Sequence, residues 1–237
     1  MFKNIAKFIF TRPLQCILSR PFIRYHIIKA LYDNSVSPRE KVMNLVMRYA
    51  AASKLTGDYF EFGVYEGNSM NAAFHISKQY LPNLRFYAFD SFEGLPETKK
   101  NGGFQPFEKG MFRCSEENFI KNLAKKGVDL SRIHTIKGWY QNTLNDATKA
   151  SLPARSAAIV YIDCDLYESA ASVLEFITSY LEHGSIILFD DWFTYRGDPA
   201  KGEQRAFKEW LSRHPEFSAT EYHKFAWSGN SFIIHRR

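Results

Sequence analysis

The sequence predicts an α/β fold with a mostly parallel sheet, and three observations carry that prediction. Apolar, β-branched runs alternate with stretches of helical periodicity. One strand passes through a glycine-bearing turn into a helix. Two buried strands end in acids: Ala157 to Ile162 runs into Asp163 and Asp165, and Ser185 to Phe189 runs into Asp190 and Asp191. Alternation along a strand places Asp163 and Asp165 on one side and Cys164 on the other. As parallel neighbours the two strands would lie about 4.8 Å apart, so four carboxylates converge at the carboxyl edge, where open α/β sheets bind ligands. Such charges repel, and a hard divalent cation, Mg²⁺ or Ca²⁺, is the simplest relief. The plainer reading is capping, with Asp165 as an N-cap and Glu168 completing a capping box. That suffices for one acid; four acids on two strand ends favour a metal or catalytic site.

With 237 residues, 45% hydrophobic and 24% charged, the chain has the composition of a soluble globular protein with one large core. The net charge of +6 is concentrated at one end: Lys3, Lys7, Arg12, Arg20, Arg24 and Lys29 lie in residues 1–32, which hold no acid. A near-neutral body leaves a nucleic-acid groove unsupported. Cys16, Cys114 and Cys164 form no CxxC pair, so neither a disulfide framework nor a zinc site is indicated, and a reducing, cytoplasmic setting fits. No apolar run approaches the ~20 residues that span a bilayer.

Residues 1–32 are read as a basic, apolar arm interrupted by Pro13 and Pro21, and residues 33–237 as the domain. The arm is either a segment that contacts a membrane surface or a second copy of the chain, or a helical extension packed on its own body. From Pro38 a helix is expected, with Val42, Leu45, Val46 and Tyr49 on its apolar face. Asp58 to Phe62 is a strand that enters Gly63-Val64-Tyr65-Glu66-Gly67 and a helix over Met70 to Lys78. The GxxxG spacing lacks the dinucleotide fingerprint, which ranks an oxidoreductase low. Arg85 to Asp90 is a second strand, and its terminal acid suits ribose hydroxyls. The turn Ser91-Phe92-Glu93-Gly94-Leu95-Pro96 offers aromatics to cover an adenine.

Further on, Asn101 to Gly110 reads as a flap and Glu116 to Lys126 as a helix closed by Gly127. Ile133 to Lys137 is a short strand, and Gly138 and Trp139 close one side of the nucleoside pocket. A helix over Tyr167 to Glu182 ends at Gly184, with His183 at its C-terminus; Trp192 to Lys201 is a loop over the site. Glu203 to Arg213 is helical and Ser231 to His235 is a closing strand. His75 and His134 are read as packed side chains. No nucleophile elbow is present.

Taken together, Glu61-Phe62-Gly63-Val64, Phe89 to Pro96, Tyr161 to Tyr167 and Phe189-Asp190-Asp191-Trp192 resemble the macrocin O-methyltransferase family of class I S-adenosylmethionine-dependent enzymes, whose members methylate sugar hydroxyls. The resemblance runs from about Leu55 to the C-terminus. It implies a Rossmann-like methyltransferase fold, with a seven-stranded, mostly parallel sheet whose last strand is antiparallel and helices on both faces. It also implies S-adenosyl-L-methionine and Mg²⁺ as cofactors, the metal on Asp163, Asp190 and Asp191, and Asp165 as the general base. The cofactor segment maps to Glu61, Gly63, Asp90, Ser91, Gly138 and Trp139, with a small-molecule or glycan hydroxyl as acceptor. A catechol- or phenol-type O-methyltransferase and a non-catalytic cofactor- or nucleotide-sugar-binding protein are the alternatives. Homo-oligomerisation stays open.

Overall fold

The computed structural model describes Pro21, Tyr25, His26 and residues 35–97 and 107–237. The chain divides into two compact units, Met1–Pro38 and Arg39–Arg237. Most of the arm lies outside the described residues, as does the greater part of the Asn101 to Gly110 flap. Among the described residues no helix is long and apolar enough to cross a membrane.

Helix α1 (Pro38–Ala52) precedes β1 (Asp58–Phe62), α2 (Asn68–Tyr80), β2 (Phe86–Asp90), α3 (Glu116–Lys125) and β3 (Ile133–Lys137). The second half holds α4 (Tyr140–Thr143), α5 (Asp146–Ser151), β4 (Ala157–Ile162), α6 (Tyr167–Ile177), β5 (Leu181–Phe189), α7 (Gly202–Arg213), β6 (Phe217–Phe225) and β7 (Gly229–Arg236). The seven strands lie in the order β3-β2-β1-β4-β5-β7-β6. β1 to β5 pair in parallel, and β7 is antiparallel to both neighbours, as expected. The central strands are buried on both faces, which is why they read as continuous apolar runs. Phe60, Phe62, Tyr87 and Phe89 pack under α6 and α7 with Phe176, Phe207 and Trp210. Residues of the opposite parity, among them Tyr59, Phe86 and Tyr161, pack under α1, α2 and α3 with Val46, Phe74 and Phe119.

Several boundaries differ from expectation. Helix α6 stops at Ile177, a 3₁₀ turn covers Thr178–Tyr180, and Glu182 and His183 belong to β5, so His183 is not at a helix C-terminus. The cause is a bulge: between paired residues Ala157–Leu181 and Ile159–Ile186, β5 carries three more residues than β4. Gly184, at φ +95°, sits in it. Ser185 Oγ closes it by donating to the Ala157 carbonyl at 2.7 Å and accepting the Glu182 amide at 3.0 Å. The buried face of α1 is Val42, Met43, Val46, Met47 and Ala50, with Leu45 and Tyr49 only partly covered. Strand β6 completes the seven strands that the resemblance implies but is not placed by the residue pattern; polar residues such as Glu221, His223 and Lys224 mask it, and they suit a sheet edge. His75 is exposed, with Nε2 at 2.9 Å from the Lys126 carbonyl, whereas His134 stacks on Tyr87.

Order reverses between β1 and β4: successive strands run outward through β2 and β3 on one side and through β5 on the other. The crevice at that switch point is where such sheets take ligands. Gly63 lies in it at φ +85°, and a Cβ there would come within 1.8 Å of the Asp163 carbonyl oxygen. Left-handed geometry and that close approach both exclude a side chain. Gly63→Ala should therefore lower unfolding free energy by about 2 kcal/mol or more, read as a shifted urea midpoint with no ligand present.

Candidate active site

The chain leaves β4 through an abrupt turn. Leu166 N–H reaches back to the Cys164 carbonyl at 2.6 Å, and Asp165 adopts φ +62°, a strained backbone tolerated best by Asn, Asp and Gly. Helix α6 is capped at Leu166 with no side-chain hydrogen bond, so neither Asp165 nor Glu168 forms the capping box weighed above. The turn gathers Asp163, Asp165 and Asp191, which present carboxylate oxygens within 4.8 Å of one another. Asp165 and Asp191 are close enough to share a hydrogen bond.

Asp191 is buried, its Oδ1 accepting from Thr194 Oγ1 at 2.7 Å, while its Oδ2 has no donor. Helix α7 clamps this corner. Glu203 Oε2 accepts the Asp191 amide at 3.0 Å, and Gln204 Nε2 donates to the Trp192 carbonyl at 2.7 Å. The remaining oxygen of Glu203, Oε1, is buried without a partner.

Asp190 is engaged elsewhere. Arg39, in the first turn of α1, donates from Nε to Oδ1 at 2.8 Å and from Nη2 to Oδ2 at 2.5 Å, and Tyr161 Oη adds a bond to Oδ1 at 2.5 Å. Of the four acids expected to converge, three do so, and the fourth faces a guanidinium. Sequence reasoning missed Arg39, Tyr161 and Glu203. An arginine beside Pro38 carries no local signal, and an acid in a helix's first turn ordinarily complements the dipole.

Packing so many acids together has an electrostatic consequence. Burial first and neighbouring carboxylates second push Asp163 and Glu203 well above the usual carboxylate range and Asp165 to about 9, while burial raises Asp191 against the opposing pull of its hydrogen bonds. The crowding favours the protonated carboxyls unless another positive charge arrives. Hard oxygen donors, with Asp191 Oδ2 buried and lacking a donor, suit a divalent ion such as Mg²⁺.

The cofactor candidates surround the other side of the crevice. Asp90 is partly exposed and ties the two loops there together, Oδ2 accepting from the Val64 amide at 2.8 Å and Oδ1 from the Phe92 amide at 2.7 Å. Gly138 N–H bonds the Asp90 carbonyl at 2.9 Å, which places Trp139, half-buried at the start of α4, beside that acid. Ser91 Oγ serves the turn, donating to the Gly94 carbonyl and accepting from the Glu93 amide. Glu61 differs from expectation. It is fully enclosed, accepting from Tyr59 Oη at 2.7 Å and Ser69 Oγ at 2.5 Å, so it anchors the loop and does not line the cleft. Burial raises its carboxyl to about 7 against the pull of those two bonds. Phe107 packs edge-on to Tyr195 of the Trp192 to Lys201 loop, and the Tyr195 hydroxyl donates to the Asp165 carbonyl at 3.3 Å.

Comparison with known proteins decides the family. The family model described as "Macrocin-O-methyltransferase (TylF)" matches residues 37–210. The chain belongs to the macrocin O-methyltransferase family. Over 148 residues it is 27% identical to a Streptomyces olivaceus protein named 8-demethyl-8-(2,3-dimethoxy-alpha-L-rhamnosyl)-tetracenomycin-C 4'-O-methyltransferase, covering 60% of this chain and 55% of that one. The chain thus spans about half the length of the curated relatives it matches. Among solved structures, CalS11, described as a calicheamicin methyltransferase, superposes with a TM-score of 0.68 at 21% identity, over 94% of this chain and 90% of that one. TomG from Streptomyces achromogenes, an O-methyltransferase solved with its cofactor SAM, gives 0.57 at 14% identity over 90% and 86%. These likenesses show the fold that the macrocin O-methyltransferase family shares with its neighbours.

Raised carboxyls fix the sign of a pH response. Glu61 and Asp165 bind protons more tightly folded than unfolded, so their contribution to stability is complete below the ordinary carboxylate range. It is lost as pH rises through about 7 and then about 9. In EDTA the melting temperature should fall as pH rises from about 4 and level off near about pH 9, and Asp165→Asn should flatten the part of that fall above about pH 7.

Proposed function

We propose that this protein is an S-adenosylmethionine-dependent, divalent-cation-assisted O-methyltransferase acting on a hydroxyl of a sugar or glycosylated metabolite. The observation that carries the reading is the juxtaposition at one switch point of a glycine loop bridged to Asp90 with three converging carboxylates. Family membership and relatives named for sugar-linked acceptors support the choice of acceptor. A partly exposed carboxylate and a neighbouring indole suit a nucleoside, with Asp90 accepting from ribose hydroxyls and Trp139 flanking the base.

When bound, the sulfonium would supply the methyl group, and the cation would lower the acceptor hydroxyl's pKa and orient it. Asp163 and Asp191 belong both to the set implied by resemblance and to the observed cluster, and they would hold the cation. Asp165 would take the hydroxyl proton on its carboxylate as the methyl arrives. A carboxyl raised to about 9 is a poor base at neutral pH, so a nearby positive charge has to bring it down before it can serve. Methyl transfer is an in-line displacement, and the rigid turns at Gly63 and Asp165 would contribute by positioning. The loop over Trp192 to Lys201, resting on Asp165 through Tyr195, would exclude water from the reacting oxygen.

Titration calorimetry with S-adenosylmethionine and S-adenosylhomocysteine, followed by Mg²⁺ with and without EDTA, tests both halves. Micromolar cofactor binding is expected, together with a Mg²⁺ signal that is lost in Asp163→Ala. Because cation ligands must be deprotonated, Mg²⁺ binding near pH 7.5 should release about one proton, seen as an enthalpy that depends on the buffer. Asp165→Asn should retain Mg²⁺ and slow methyl transfer by about 10²-fold or more. Failure to bind cofactor under any condition would sink the reading and favour a different use of the acid cluster.

A further inference from the structure

We propose that Arg39 is a resident counter-ion that a divalent cation must displace from Asp190, so that helix α1 and the cation compete for one carboxylate. The inference rests on the cation site proposed above, and on geometry that the resemblance does not supply. Asp190 and Asp191 are consecutive at the end of β5, yet only Asp191 joins Asp163 and Asp165. Both oxygens of Asp190 are taken, by the Arg39 fork and by Tyr161 Oη. The pair is asymmetric: the Asp190 side chain is 5% exposed and that of Arg39 45% exposed. Arg39 can therefore swing into water at modest cost, whereas Asp190 cannot leave and must have a positive partner.

Two arrangements of the same acids follow. Without a cation, Arg39 neutralises Asp190. When a cation enters beside Asp163 and Asp191, Asp190 becomes the third carboxylate ligand and Arg39 is released. Removing Arg39 takes away a competing bond and a repelling charge, and both changes favour the cation. An outer-sphere support would behave in the opposite way, because loss of a group that orients a ligand weakens metal binding.

Calorimetric titration of Mg²⁺ into wild type, Arg39→Gln, Asp190→Asn and the double variant separates these roles, with Mn²⁺ titration followed by electron paramagnetic resonance as an optical-free check. Arg39→Gln should bind Mg²⁺ about 5- to 10-fold more tightly than wild type. Asp190→Asn should bind more weakly, and adding Arg39→Gln to it should change nothing further. Unchanged or weaker binding by Arg39→Gln would overturn the proposal. Hydrogen exchange on the wild type needs no substitution: Mg²⁺ should speed exchange of amides 42–46 in α1, and unchanged or slowed exchange there would also count against displacement. Absence of any Mg²⁺ binding by the wild type would instead remove the cation site itself, a failure distinguishable from that of Arg39.

Discussion

Charge crowding at the carboxyl ends of β4 and β5 is the constraint on which the rest of the site depends. Five acids, Asp163, Asp165, Asp190, Asp191 and Glu203, lie within mutual electrostatic reach in a largely buried corner. Such a corner cannot hold five negative charges. The structure meets the problem with raised carboxyls, with one guanidinium from α1, with hydroxyl donors from Thr194 and Tyr161, and with the Asp191 amide donating to Glu203. Much of the surrounding architecture serves these groups: α7 pins the Asp191–Trp192 corner, the Tyr195 loop rests on the Asp165 turn, and α1 delivers Arg39. A protein selected for stability alone would have replaced such a corner with apolar residues, so its retention argues for chemistry.

Much of this was legible in the sequence because the central strands are buried on both sides. Ala157 to Ile162 and Asp58 to Phe62 could be bounded from composition alone, and the acids stood out because they appear where apolar runs stop. Legibility failed where a tertiary partner decides the outcome. The bulge at Gly184 moved Glu182 and His183 from helix to strand, since Ser185 finds its partner on β4. β6 was hidden because an edge strand buries little and can be polar. Arg39 and Asp190 are 151 residues apart, and no local pattern joins them. The acids' identity was readable, but which three would converge depended on a left-handed turn at Asp165 and on that distant arginine.

The glycine loop shows a different kind of limit. The two glycines of the turn before α2 both have packing reasons of their own. A side chain at Gly63 would strike the Asp163 backbone, and one at Gly67 would meet Phe119 and Leu123. Asp90 likewise spends both oxygens on backbone amides of neighbouring loops, so its part in shaping the crevice precedes any part in binding. Rigidity obtained this way is what a positioning enzyme requires.

The contact between Gly63 and the Asp163 carbonyl also joins two halves that are usually discussed apart. Gly63 accepts no substituent because the chain that carries Asp163 passes directly behind it, and the Asp163 amide in turn bonds the Phe62 carbonyl at 2.8 Å. The glycine-loop side and the acidic side of the crevice are thus soldered back to back, with no spacer that could take up a change in either. For protein engineering this makes residues 61–67 and 161–165 a single cassette. Libraries that vary one segment alone would mostly sample misaligned pockets, whereas recombining the two together from related chains would keep their registration intact.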